Sequence, residues 1–221
     1  MPARETSFNQ LAGVPAHYDR LPAPDDYGSE GQARTFWCTT KLRDTLENCL
    51  TDLFAVWRKG PPSIILTAGT IGDGDNAHGQ GLAFDLDGFR WNNRRFMMDE
   101  YPTDRRFYVG INAHLFLYFS QVLSYHYPQH RDHFHLDFNF TYTFRTASNA
   151  QTFFLQSALK YLFGKDIGQT GAEHDGVDGV YGSATEPVVA EVLEEIGLSG
   201  KLTTGTVWRE FLLDCRKRAF A

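Results

Sequence analysis

Two short segments of this chain alternate apolar and polar residues with a period of two, and both place histidine or aspartate on the polar side. In Gly81-Leu82-Ala83-Phe84-Asp85-Leu86-Asp87, Leu82, Phe84 and Leu86 point one way, and Ala83, Asp85 and Asp87 the other. In His133-Phe134-His135-Leu136-Asp137-Phe138-Asn139-Phe140, the even positions are all large and apolar, and the odd ones carry His133, His135 and Asp137. A slip of one residue would drive those polar groups into the core, so the pattern demands strands with one buried face and one face that offers ligands. The expected architecture is α+β: a small antiparallel sheet with helices on one face and a metal site on the other, followed by a small all-α unit.

The remaining elements are read from helical spacing and punctuation. Leu42, Leu46, Leu50, Leu53, Phe54 and Trp57 form one apolar stripe, with Thr39 and Thr40 as cap candidates and Gly60-Pro61-Pro62 as the stop. Ser63 to Thr67 reads as a strand that runs into a glycine-rich loop ending near His78. Residues 104–124 read as a buried helix. Pro15, Pro22 and Pro24, with Asp25, Asp26 and Gly28, discourage regular structure near the start. Three parts are therefore expected: an irregular arm over 1–35, a domain over 36–148 that contains both alternating strands, and a helical unit over 149–221, divided at the polar stretch Thr146-Ala147-Ser148-Asn149.

The chemistry concentrates in residues 76–89 and 130–138. A zinc hydrolase needs three protein ligands and one open position, and two imidazoles with a carboxylate suit it. His78 and Asp85 stand seven residues apart across a glycine-containing turn, and His135 lies on the polar face of the second strand. If the strands pair, the three side chains can converge. His130, His133 and His135 also fit H-x-x-H-x-H. Chance clustering of surface histidines is the competing reading, and the strand pattern argues against it.

These segments resemble the extensin-like branch of the zinc peptidases that include D-Ala-D-Ala carboxypeptidases and murein endopeptidases. The family's first motif, S-x-H, then G-x-A-x-D, is met by Asn76-Ala77-His78 and by Gly81, Ala83 and Asp85, with Asn76 in place of serine. Its second motif ends in H-x-H, met by His133-Phe134-His135. The resemblance covers roughly residues 36–140. It implies zinc held by His78, Asp85 and His135. Asn76 is a candidate substrate-binding residue, and His130 either lines the substrate cleft or is a plain loop histidine. It offers two general bases: Asp132, three residues before the last ligand, and His133, two before it. Alternation favours His133, which shares the ligand face. The basic or amide side chain that relatives carry before the first motif is missing, and Arg90 or Arg131 is the substitute on offer. Asp87 and Asp137 are either partners that orient ligand imidazoles or solvated carboxylates. Trp91 either flanks the cleft or sits in the core.

Residues 153–212 resemble a three-helix peptidoglycan-binding domain, through Leu155, Gln156, Leu159, Asp178, Gly179, Tyr181, Gly182, Thr185, Val189, Gly197, Leu198, Gly205 and Trp208, with a longer insert at Gln169–Asp175. The two resemblances together imply a peptidoglycan partner and a periplasmic, wall-associated or extracellular location. No signal peptide is visible in the polar opening, and no apolar run of about 20 residues could span a membrane. A net charge of −6 argues against nucleic acid as partner. The expected state is a monomer. Cys38, Cys49 and Cys215 read as buried thiols, with a Cys38–Cys49 bridge as the second reading. A wall-binding protein on a degenerate peptidase scaffold is the alternative to an enzyme.

Overall fold

A computed structural model describes residues 4–22, 27–29, 31–70, 72, 74–168 and 176–221. The chain folds into two units: one formed by residues 1–101 and 132–139, the other by residues 102–131 and 140–221.

The first unit is built from β1 (Thr6–Phe8), β2 (Gln10–Leu11), β3 (Val14–Tyr18), β4 (Gln32–Ala33), β5 (Phe36–Cys38), α1 (Thr40–Val56), β6 (Ile64–Gly69), β7 (Phe84–Trp91) and β8 (Arg94–Met97). A returning strand, β10 (Phe134–Asp137), completes it. The sheet runs β2-β3-β6-β7-β10, with β4 on β3 and β8 on β7, while β1 and β5 pair separately. It is mixed rather than wholly antiparallel, because β3 lies parallel to β6. Parallel neighbours need a long crossover, and the chain between them contains α1. The α+β class holds.

The stretch expected to be an irregular arm supplies β1 to β4. Val14, Pro15 and Ala16 alternate buried, exposed, buried, a strand signal that the prolines obscured. Pro24, Asp25 and Asp26 lie outside the described residues. Helix α1 begins where expected: the Thr39 hydroxyl accepts from the Leu42 N–H at 3.2 Å. It buries Leu42, Leu46, Cys49, Leu50, Leu53 and Phe54, and Phe54 and the following Trp57 pack on Phe89 of β7 at ring-centre distances of 5.9 and 5.1 Å.

The predicted strand over 82–87 is longer than expected, and its alternation changes phase. Leu66 pairs with Gly88 but Thr67 pairs with Leu86, so Asp87 is an extra residue, a bulge in β7. Before the bulge Phe84 and Leu86 are buried, and after it Phe89 and Trp91 are. The bulge returns the strand's later aromatic residues to the apolar face while leaving Asp85 and Asp87 on the other. The second strand is shorter than expected. Asp137 ends it by accepting the Asn139 N–H at 2.9 Å, and Phe140, expected on the core face, is 44% exposed.

The second unit contains α2 (Arg105–Phe116), β9 (Gln121–Leu123), α3 (Asn149–Tyr161), α4 (Thr185–Glu195) and α5 (Gly205–Phe220). The expected helix over 104–124 stops at Phe116 and gives way to β9. It also belongs here rather than with the strands of the first unit. Gly110 of α2 lies so close to α5 that a Cβ would come within 2.4 Å of the Ala219 Cβ. Phe116, Phe154, Phe144 and Phe211 surround Trp208. The polar stretch taken as a domain boundary is a helix cap: the Ser148 hydroxyl accepts from the Gln151 N–H. The insert at Gln169–Asp175 lies outside the described residues. Cys38, Cys49 and Cys215 are buried and are not joined in a disulfide.

Gln156 ties this unit together. Its carbonyl oxygen accepts from the N–H groups of Asp178 and Gly179 at 3.0 and 2.8 Å, and its amide donates to the Asp178 carboxylate at 2.7 Å. The side chain is 2% exposed. Gln156→Leu should therefore strand buried donors and lower stability by about 2–3 kcal/mol, read as a shift in the urea midpoint. An unchanged midpoint would show that those groups find equal partners elsewhere.

Candidate metal centre

Pairing of β10 with β7 places His135 directly opposite Asp85. Cross-strand neighbours in such a ladder have Cβ atoms about 5 Å apart, and His135 Nδ1 lies 3.0 Å from Asp85 Oδ1. His78 arrives from a tight turn rather than a strand. The turn is closed by backbone bonds from Gln80 to Asn76 and from Leu82 to Ala77, and the Asn76 side chain accepts from the Gly79 N–H at 2.9 Å. Gly79 admits no side chain, since a Cβ would fall 1.6 Å from the Gly74 carbonyl oxygen. The carbonyl of Gly81 receives both the N–H and the hydroxyl of Thr39. The start of α1 thereby anchors the turn that carries His78.

His78 Nε2 lies 3.1 Å from His135 Nδ1 and 3.1 Å from Asp85 Oδ2. Three donors on a tetrahedral ion with bonds of about 2.0–2.1 Å would stand about 3.3 Å apart, so the triangle fits a small cation of that kind. These three form a group able to hold a metal ion. The other ring nitrogen of His135 lies 3.0 Å from Asp137 Oδ2, and Asp137 is 1% exposed. That carboxylate fixes the ring's orientation, as expected of a partner to a ligand imidazole.

The electrostatics follow from this packing. Burial alone would raise the Asp85 carboxyl, but hydrogen bonds from His135 and His78 and the nearby charge of His78 and His133 hold it well below the usual carboxylate range. Burial would lower His135, but its bonds to Asp137 and Asp85 push it up to about 9.

His133 stands just outside the triangle, its Nε2 3.7 Å from Asp85 Oδ1. Its Nδ1 lies 2.7 Å from Asp132 Oδ1. Asp132 is in turn engaged by Arg20, whose Nη1 donates to its other oxygen at 2.7 Å. Burial opposes its ionisation, but Arg20 and His133 hold its carboxyl below the ordinary value.

Other expected site residues have different employment. Asn76 caps the turn beneath His78. Asp87 does not touch a ligand imidazole: it is fully buried and takes a fork from Arg20, Nη2 to Oδ1 at 2.6 Å and Nε to Oδ2 at 3.0 Å. Burial pushes the Asp87 carboxyl up against the pull of that guanidinium. Trp91 is a core residue, its ring tilted against Trp57 with centres 5.4 Å apart and its Nε1 donating to the Gly60 carbonyl. It lies six residues along β7 from Asp85, roughly 20 Å for an extended strand. Arg90 is likewise far along β7. His130 and Arg131 belong to the second unit, where His130 Nδ1 is 2.7 Å from the Pro128 carbonyl and Arg131 donates to the Tyr125 hydroxyl. The H-x-x-H-x-H pattern is thus divided between units.

Arg20 and Tyr27 were missed by sequence reasoning. Tyr27 donates to the Asp132 carbonyl at 2.6 Å, and the Arg20 guanidinium sits 4.8 Å above its ring. The available signal was Asp87 itself: an acidic residue on a strand flanked by core positions requires a cationic partner.

A metal can bind His135 only after its Nδ1 proton leaves. With His135 raised to about 9, the metal-free protein carries that proton at neutral pH. That favours the fold below the ordinary value of 6.5, and the contribution fades as pH rises through about 9. Zinc uptake between pH 6 and 8 should release about one proton from this histidine, and apparent affinity should rise about tenfold per pH unit. Calorimetric titration in buffers of different protonation heat measures it, and zinc uptake without proton release would contradict it.

Comparison of the chain with protein-family models, with curated proteins and with solved structures finds no match.

Proposed function

We propose that the protein is a zinc-dependent hydrolase that cleaves peptide bonds in peptidoglycan stem peptides or cross-links, with the second unit's C-terminal helices as its wall-binding part. The convergence of His78, Asp85 and His135, with an oriented histidine just beside them, carries this reading. Zinc held there would supply a Lewis acid that polarises a carbonyl and acidifies water.

The chain's own residues divide the remaining work. In the neutral form of His133 the Nδ1–H donates a hydrogen bond to Asp132, which leaves the Nε2 lone pair directed toward the candidate ligand group. His133 can then accept a proton from attacking water and return it to the leaving amine. Asp132 has both oxygens engaged, by His133 and by Arg20, so its part is to orient the base. The substrate class comes from the motif resemblance in residues 76–85 and 133–135, and the helical arrangement around Gln156 and Trp208 agrees with a small binding module. The proposed setting is the cell wall, with the enzyme acting as a monomer. No helix among the described residues is long and apolar enough to cross a membrane.

The test is incubation of the zinc-loaded protein with purified peptidoglycan, followed by assay of new amino groups and mass analysis of the muropeptides. New amino groups are expected, and the masses identify the bond cut. Sacculus binding without cleavage would make this a wall-binding protein. His135→Ala should lose zinc on dialysis and all hydrolysis. His133→Ala should retain zinc and slow turnover by roughly 10²–10⁴-fold. Equal zinc loss in both would make His133 a ligand, and full activity in His133→Ala would return the base role to Asp132.

A further inference from the structure

Asp87 and Asp132 present two carboxylates, and one guanidinium spans them. Arg20 gives Nε and Nη2 to the fully buried Asp87 and Nη1 to Asp132. Asp132 gives its other oxygen to His133 Nδ1. The result is one continuous series, Asp87–Arg20–Asp132–His133, that begins at the bulge in β7 and ends at an imidazole beside the ligand triangle. Tyr27 fixes the same segment through the Asp132 backbone carbonyl.

We propose that Arg20 is a positioning residue that sets the tautomer and direction of His133 through Asp132. The geometry gives three reasons. Arg20 cannot rotate away, because its fork is committed to a carboxylate with no solvent contact. Asp132 is 39% exposed at its side chain, and an aspartate so placed would otherwise change rotamer freely. Finally, a carboxylate held in this plane accepts a hydrogen bond from Nδ1–H and so stabilises the Nδ1–H tautomer, the only neutral form whose Nε2 lone pair faces Asp85. Lysine could not replace it: a point charge on a flexible stem satisfies Asp87 or Asp132 but does not hold both in register. Arg20 is therefore not a carbonyl-stabilising group, since its donors are turned toward the two carboxylates.

The kinetic consequence rests on the hydrolase reading, whereas the tautomer does not. The experiment therefore uses ¹⁵N-labelled protein without metal, with His133 resonances assigned by the His133→Gln variant, and kinetics on the zinc-loaded protein. Three variants are compared: Arg20→Lys, which keeps a charge beside Asp87; the double variant Arg20→Met with Asp87→Leu, which removes the buried pair together; and Asp132→Asn. Neutral His133 should be the Nδ1–H form in the parent. It should become a mixture of tautomers in all three variants, in cooperatively folded protein with unchanged zinc stoichiometry. Turnover should fall roughly 10–100-fold with little change in KM, and adding Asp132→Asn to the double variant should cost nothing more. Retention of the Nδ1–H form in Arg20→Lys and in the double variant would overturn the proposal. So would a loss confined to KM. A parent protein that hydrolyses no peptidoglycan would end the hydrolase reading alone, because the nitrogen shifts still decide what Arg20 does.

Discussion

The register between β7 and β10 is the constraint on which the site depends. It sets His135 against Asp85 and Phe134 against Leu86, so one alignment buries two apolar side chains and brings two candidate ligands together. A shift of one residue would bury His135 and Asp85 and expose Phe134 and Leu86. Core packing thus selects the register, and the register assembles the chemistry. The third ligand, His78, needs a separate device. Its turn is fixed by Asn76 from within and by Thr39 at the head of α1, which links the helix on the apolar side to the group on the polar side.

A second constraint lies at Asp87. An isolated carboxylate with no solvent contact would be very costly, and the Arg20 fork offsets that cost. Removing Arg20 alone would strand a buried carboxylate, at about 3–5 kcal/mol. Such a pair adds little net stability over a well-packed apolar substitute. Here it ties β3, through Arg20 two residues beyond its end, to the bulge of β7. The same guanidinium holds Asp132 just ahead of β10.

Much of this was legible in the sequence because period-two alternation is a strong signal. The alternation at 133–137 predicted a strand with ligands on one face, and His78, Asp85 and His135 were named from the same two segments that the fold brings together. The illegible parts have identifiable causes. Strands β1 to β4 are short, and Pro15 and Pro22 mask them. The bulge cannot be read from composition, so the alternation was followed only as far as Asp87. Trp91 was ambiguous until the shift of phase carried it to the core. The unit division was misjudged because the chain leaves the first unit after Tyr101 and returns for residues 132–139, and such a re-entry leaves no local trace. Arg20 lies 67 residues from Asp87 and 112 from Asp132, beyond any local pattern.

X-ray absorption at the zinc edge, on protein loaded with one equivalent of zinc, tests the central claim most directly. The account predicts a four-coordinate ion with two imidazole nitrogens and the remaining ligands oxygen, at about 2.0–2.2 Å. Loss of the imidazole scattering in His78→Ala or His135→Ala should follow. A sulfur shell near about 2.3 Å, or a site of oxygen ligands alone, would contradict it.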